Sequence, residues 1–570
     1  MSLGYDRRIA PRPALPVLRA PAFGRRRPIV SRLHDFDHAL DRCATASGAE
    51  RKRAAALAQR LAEERMGGAF WAPPAKLPPR AALLRPRTPA EVHAMLSAAL
   101  AETLAGSIVV SAPDLAWARA LRATVEAVGA ALLVGEAEPW SLVEDAAWVT
   151  AHAGDPLAFH AIGAGTPVRW TQPRDLSGLP PDALAHAYLL DGASYRDPFS
   201  GLPSDAETTL ALLLDWRRHL SRTRDVTACF GVAPWKRRSV ADLLASPERS
   251  PIITHGRRSV ALAHARGGVA VGWATRLPHG VAAEAAQAGV ALARMEDGFL
   301  RSAGLGSGLT PPLSLTLDRL GLHYDPAGPS ELSELLASSA LDEPALLTRA
   351  ERLIANLRTT ALCKYGLDRS RPYERPQGER VILVVGQVED DASVRLGGRE
   401  IQGNLELLAR ARAAEPGAVI LYRPHPDVEA GHRRGAVADR KALLHADRVV
   451  RETGTLALTR AVDAVHVLTS LAGFEALLHE KEVVTHGSPF YAGWGLTTDL
   501  ATPRRGALSL AQMAAAALIL YPLYLDPRTR LPCPPEVLIE RLIHAPPPPS
   551  ILARARGLQG RLVKAMGPLQ

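Results

Sequence analysis

Four hydrophobic runs in the carboxyl-terminal half of this 570-residue chain each break off into a polar cluster, and that repetition constrains the fold more than any other feature. Val381 to Gly386 ends in Gln387-Val388-Glu389-Asp390-Asp391, and Val419 to Tyr422 ends in Arg423-Pro424-His425-Pro426-Asp427. Val465 to Leu468 leads into Thr469 to Glu475, and Val483-Val484 into Gly487 to Tyr491. β-Branched runs separated by helix-length segments predict buried parallel strands with helical crossovers. Ligands of such sheets sit in the crevice outside the carboxyl ends of the strands. Every cluster lies at such an end, so the four are expected to converge on one site.

Hydrophobic residues make up 47% of the chain, enough for large cores in roughly two to four domains. Cys43, Cys229, Cys363 and Cys533 are far apart and fit neither a disulfide framework nor a zinc site, so no metal and a reducing cytoplasm are expected. The amino terminus has arginines but no apolar stretch of signal-peptide length. The longest apolar run, Met513 to Leu525, contains Pro522 and is too short to span a bilayer. A cytoplasmic protein, neither exported by the signal-peptide route nor integral to a membrane, is the expectation. Residues 1–90 hold 18 Lys and Arg against 7 Asp and Glu, more than the whole formal excess of +10. That stretch reads as a polybasic arm for anionic lipid or as a solvated, partly disordered tail. Nucleic acid is not expected, because no aromatic-interleaved basic motif accompanies the charge.

Two α/β units are expected to follow one another downstream. Strand-like runs at Pro251 to Thr254, Val269 to Gly272 and Val290 to Met295 belong to the first, the last ending at Glu296-Asp297-Gly298-Phe299. A helical stretch from about Glu343 to Tyr365 links it to the second, which carries the four clusters. The expected fold class is α/β, a GT-B-like pair of Rossmann domains, the architecture of nucleotide-sugar glycosyltransferases. A degenerate, partial Rossmann-like repeat is expected to precede the pair. Tyr195-Arg196-Asp197-Pro198 echoes Tyr524-Leu525-Asp526-Pro527, Asp155 to Ala161 can be laid on Ser470 to Ala476, and Ala112-Pro113-Asp114 on His425-Pro426-Asp427. Three echoes in order suggest one duplication in which polar residues were lost. The expected domains are an arm at 1–90, a half-module at 91–222, an acceptor-side Rossmann-like domain at 223–345, a donor-binding one at 346–545, and a tail at 546–570.

Residues 225–545 resemble the KpsC-type capsule polysaccharide synthesis proteins, which are β-Kdo transferases. The match rests on Phe230 to Arg237, Glu296 to Gly306, Pro311 to Leu315, Gly386 to Asp391, the His425-Pro426 pair, Thr469 to Leu477, and Phe490 to Thr497. The resemblance implies GT-B-like modules that take Kdo from CMP-Kdo and build a β-Kdo linker on a lysophospholipid-linked acceptor at the inner membrane, for capsule export. CMP-Kdo is then the donor substrate and no cofactor is expected. The expected partners are a glycolipid acceptor, the inner-membrane surface and the capsule-export machinery. Typical members carry two complete modules, whereas the first module here is expected to lack its amino-terminal half and its donor residues, leaving one activity.

CMP-Kdo carries Kdo in the β-configuration, so a β-linked product requires net retention, hence a carboxylate nucleophile and an acid/base group. Asp391 is the expected nucleophile, with Asp390 its neighbour and rival, and one of Glu296 and Asp297 the acid/base group. His425 resembles the histidine with which CMP-sugar transferases contact the departing phosphate. Gln387, Asp390, Arg395, Arg423, Pro426, Ser470, Gly473 and Glu475 complete the expected donor site. Ser470 and Gly473 open a helix whose amides favour a phosphate, and Glu475 is expected on its first turn, facing the ribose. Arg395, Arg301 and Lys236 are candidates to neutralise the Kdo carboxylate or the phosphate. The glycines from Gly304 to Gly308 suggest close backbone approach or a flexible loop. Two other readings stay open: a non-catalytic capsule-assembly scaffold, and a GT-B transferase using another nucleotide sugar.

Overall fold

The structure, a computed structural model, describes residues 9–546 apart from 44, 303–308, 365, 369, 377, 402 and 432. The chain divides into two compact units, Met1–Ser221 and Arg222–Gln570. The expected loop Gly304 to Gly308 and nearly all of the 546–570 tail lie outside the described residues.

In unit 1, β1 (Ser31–Leu33) precedes the strands β2 (Ala81–Leu84), β3 (Ile108–Ala112), β4 (Ala131–Val134), β5 (Ala146–Ala151) and β6 (Val168–Trp170). These five are parallel, in the order β4-β3-β2-β5-β6. Side chains on β2 and β3 alternate between two cores, one around Trp117 and the other around Trp140, so both faces of the sheet are covered. A helix Pro181–His186 runs into a π-turn at Ala187–Asp191 and then into β7 (Ala193–Arg196) and β8 (Pro203–Ser204). β7 pairs antiparallel with both β1 and β8.

Unit 1 corrects the expected arm at 1–90 and with it the boundary at 91. β2 is the central strand of the sheet, and the helix Gly48–Glu63 starts at a Ser47 capping box and buries Ala54, Leu57 and Leu61. Basic charge hid this order because several of the arginines are paired within the unit: Arg19 with Glu136 at 2.7 Å, Arg53 with Glu207 at 2.5 Å, and Arg85 with Asp155 at 3.1 Å. An amphipathic segment whose polar face is rich in Arg reads as a tail when only charge is counted.

Unit 2 opens with β9 (Val226–Phe230), β10 (Ile252–Ile253), β11 (Val269–Trp273) and β12 (Leu292–Asp297), all parallel, followed by β13 (Ser314–Asp318) antiparallel to β12. The helix Pro344–Thr359 and a hairpin, β14 (Leu362–Cys363) and β15 (Gly366–Leu367), replace the single expected helix to Tyr365. Six parallel strands follow: β16 (Val381–Val385), β17 (Val419–Arg423), β18 (Arg448–Val449), β19 (Ala464–Val467), β20 (Glu482–Thr485) and β21 (Thr498–Asp499). Their order is β18-β17-β16-β19-β20-β21, which reverses direction between β16 and β19 and opens a crevice there. The chain then returns to the first sheet, where β22 (Pro522–Tyr524) pairs antiparallel with β13. The block expected as the donor-binding domain, 346–545, therefore also supplies a strand to the first sheet. Pro522 is tolerated because β22 is the edge strand and its missing N–H breaks no central ladder. Two Rossmann-like sheets in one unit give the GT-B-like arrangement.

Candidate active-site cleft

The carboxyl ends of both sheets of unit 2 line one cleft of about 1030 Å³. Glu296, Asp297, Gln387, Asp390, Asp391, Arg395, Arg423, His425, Pro426, Ser470 and Glu475 all reach it. Gly473 does not line it. A side chain there would meet the Tyr491 hydroxyl, so its glycine is explained by close packing of helix and loop rather than by a ligand.

Glu296 and Asp297 are the last two residues of β12, and they behave oppositely. Glu296 accepts the Thr275 amide at 3.1 Å, and its pKa is pushed up to about 7 by burial and then by the Asp297 charge. Burial also works to raise Asp297, but Arg301 and Lys236 outweigh it and hold that carboxyl below its usual value. The Lys236 Nζ lies 3.0 Å and the Arg301 Nε 2.8 Å from Asp297. Lys236 also sits 3.5 Å from the centre of the Trp273 ring, while Arg301 is only 1% exposed and bonds Ser302 and the Thr310 carbonyl. Two of the three expected anion-neutralising cations thus serve Asp297.

On the opposite wall Asp391 caps the helix Ala392–Gly397: its Oδ1 accepts the Ser393 amide at 3.0 Å and the Ser393 hydroxyl at 2.8 Å. Its Oδ2 has no partner among the described residues. Asp391 lies close enough to Glu296 that its charge helps raise that carboxyl. Asp390 instead is exposed and pairs with Arg433 at 3.2 Å.

His425 follows β17 and caps the short helix Pro426–Glu429, its Nδ1 accepting the Asp427 amide at 3.1 Å. Burial lowers its pKa, so the ring is neutral and carries its proton on Nε2. The Arg423 Nε is buried without a hydrogen-bond partner among the described residues, and Arg395 is exposed and unpaired among them. Ser470 caps the helix Leu471–Leu478. Glu475 lies on the second turn of that helix rather than the first, accepts the Lys364 amide at 2.7 Å, and is pushed up to about 7 by burial.

The Gln387 side chain is consumed internally. Its Oε1 accepts the Leu468 and Thr469 amides at 3.1 and 2.8 Å and its Nε2 donates to the Thr469 hydroxyl, tying the ends of β16 and β19 together. Gln387 therefore shapes the crevice.

Sequence reasoning missed Tyr324 and His323, on the loop after β13, and the hairpin residue Lys364, all in the cleft wall. His323 packs half-buried against Phe299, ring centroids 5.0 Å apart, and desolvation lowers its pKa to about 3. No signal in the sequence marks these residues, which follow a strand without a polar cluster. Among the described residues no group of His, Cys, Asp and Glu is arranged to hold a metal ion, and no helix is long and apolar enough to cross a membrane.

A family model described as capsule polysaccharide biosynthesis protein matches residues 269–369 and 354–524. The capsule polysaccharide modification protein LipA of Neisseria meningitidis serogroup A is 36% identical over 386 residues, 67% of this chain and 54% of that protein. The lipopolysaccharide-processing protein LpsZ of Rhizobium meliloti is 36% identical over 352 residues, 58% of this chain and 79% of that protein. The chain spans about half the length of the LipA relatives it matches. A solved structure of the β-Kdo 2,4 transferase of Thermosulfurimonas dismutans KpsC is 30% identical, covering 56% of this chain and 98% of that one, with a TM-score of 0.49. The β-Kdo 2,7 transferase of the same protein is 33% identical with the same coverage and a TM-score of 0.45.

Proposed function

The chain belongs to the KpsC-type family of capsule polysaccharide biosynthesis proteins, and on that premise we propose that unit 2 is a retaining glycosyltransferase. It moves Kdo from CMP-Kdo to a Kdo- or lysophospholipid-linked acceptor, building the β-Kdo linker for capsule export at the cytoplasmic face of the inner membrane. One observation carries the reading: Asp391, a carboxylate with one oxygen unpaired among the described residues, faces Glu296, a carboxyl pushed up to about 7, across a cleft at the ends of two Rossmann-like sheets.

In the first displacement the Asp391 Oδ2 attacks the anomeric carbon, forming a glycosyl ester as the bond to the CMP phosphate breaks. The His425 Nε2–H donates to a phosphate oxygen as charge builds there, with Arg423 and Arg395 adding positive charge. In the second, an acceptor hydroxyl attacks the ester carbon from the face the CMP left and Glu296 takes its proton, so Asp391 is released and the configuration is retained. A pKa near 7 suits Glu296 for this duty. Asp297, locked to Lys236 and Arg301, holds the neighbouring wall in place. Glu475, next to the Lys364 amide, receives the ribose hydroxyls.

Incubation of the protein with CMP-Kdo and a synthetic Kdo-terminated lipid acceptor, the product read by mass, tests the reading. Addition of one Kdo residue is expected. A product from another nucleotide sugar only, or none from any, overturns it.

A further inference from the structure

Kdo bears a carboxylate on the carbon that reacts. Bound between Asp391 and Glu296, that anion meets carboxyls on both sides, yet of the three candidate cations Lys236 and Arg301 are engaged with Asp297, and Arg395 is assigned above to the phosphate. A cation beside Asp391 would moreover blunt it as a nucleophile. The site calls for a neutral hydrogen-bond donor.

Tyr324 meets that need. It lines the cleft from the loop after β13, half-buried, and its hydroxyl has no hydrogen-bond partner among the described residues. Its backbone carbonyl approaches Gly397, at the end of the helix that Asp391 caps, leaving 3.6 Å to the place a Cβ would occupy there. Burial raises the phenol well above its usual pKa, and the Glu296 and Asp391 charges raise it further, so both carboxyls lie within its electrostatic reach and the group stays a donor. The other charged residues around it are Asp325 beside it and Arg294 on β12.

We propose that Tyr324, on the wall of the cleft that Glu296 and Asp391 also line, donates its O–H to the carboxylate of the donor sugar and so selects a donor with a carboxylate on its anomeric carbon. This rests on the CMP-Kdo reading above. A hydrogen bond to a charged group corresponds to roughly 10- to 100-fold in affinity.

Calorimetric titration of CMP and of CMP-Kdo into the wild-type chain, Tyr324→Phe and Arg395→Gln tests it. Tyr324→Phe is expected to bind CMP as the wild type does and CMP-Kdo about 10- to 100-fold more weakly. Unchanged CMP affinity also reports an intact cleft. The proposal is overturned if Tyr324→Phe binds CMP-Kdo normally, if it loses CMP equally, or if the selective loss appears in Arg395→Gln instead. If the wild type binds neither probe, the donor reading itself falls and this inference with it.

Discussion

Unit 1 and the later part of unit 2 are built to one plan and differ in what fills the carboxyl ends of their strands. The parallel order β4-β3-β2-β5-β6 repeats the order β18-β17-β16-β19-β20, first strand in the middle and reversal beside it. Each sheet is followed by a helix, a π-turn and a strand that carries a buried tyrosine. Tyr195 donates to the Leu189 carbonyl at 2.7 Å, and Tyr524 to the Leu518 carbonyl at 2.8 Å. The following turns match: Asp197 N–H to the Leu202 carbonyl at 2.9 Å, Asp526 N–H to the Leu531 carbonyl at 3.0 Å, with Gly201 and Arg530 both left-handed. Ser31 stands opposite Tyr195 as Ser314 stands opposite Tyr524, and their hydroxyls donate to the Leu18 and Leu300 carbonyls. The likeness thus reaches upstream to Leu18, and at that spacing Ala14 and Leu15 stand where unit 2 has Glu296 and Asp297.

The crevices part company. Where unit 2 has His425, Ser470 and Glu475, unit 1 has Ala112, Asp155 and His160. Asp155 is fully buried in a bidentate pair with Arg85, which also reaches the Ser111 hydroxyl at 3.1 Å. Arg12 closes over the same strand ends, donating to the Pro86 and Ser111 carbonyls. Turn and packing contacts recur in both units, whereas the polar residues at the strand ends differ.

The largest expected contrast is catalytic. Asp391→Ala should lower transfer roughly 10⁴-fold, about 5 kcal/mol of transition-state stabilisation, with CMP binding retained. Steady-state kinetics checks it; appreciable residual transfer would mean another nucleophile. Asp155→Ala should do the reverse, costing about 3–5 kcal/mol of stability in denaturant unfolding by stranding Arg85, while turnover per folded molecule is unchanged. A loss of turnover there would break the comparison.

The next effect is opposite pH dependence at equivalent helix positions. Burial lowers His160 to about 4, so the folded state refuses a proton that the unfolded chain takes near 6.5. Stability therefore falls as pH drops through that window, by about 2 kcal/mol at pH 5. Glu475, raised to about 7, keeps a proton that the unfolded chain releases near 4.5, so stability falls as pH rises between those values. Unfolding as a function of pH should show Glu475→Gln removing part of the alkaline loss, about 2 kcal/mol, and His160→Gln part of the acid loss. The smallest effect sharpens the likeness: Tyr195→Phe and Tyr524→Phe should each cost about 1 kcal/mol in urea unfolding, and by similar amounts.

The strands of the cleft were legible because Val381 to Val385 and Val419 to Tyr422 are continuous apolar runs rich in Val and Ile and mostly buried. β2 was not: Ala-Ala-Leu-Leu has little strand propensity and sits among Pro and Arg. The two-residue strands β18 and β21 leave no pattern to read, and the return of β22 is a long-range pairing that local sequence does not carry. The site residues Asp391, His425 and Glu296 stood out as polar residues at strand ends. Glu296 and Asp297, left open by the sequence, differ in their partners: Arg301, four residues on, and Lys236, distant along the chain, both hold Asp297. Tyr324 escaped because a lone aromatic beside a histidine looks like core, and the internal use of Gln387 escaped because a glutamine at a strand end looks like a ligand.

The central claim is that this chain holds one active crevice, in unit 2, and one closed crevice, in unit 1. Acid quenching of the chain during turnover with CMP-Kdo, followed by intact and peptide mass spectrometry, tests it most directly. The account predicts a single Kdo residue per chain, on the peptide that contains Asp391, absent from Asp391→Ala. Two Kdo residues per chain, or an adduct within residues 9–221 that survives Asp391→Ala, would contradict it.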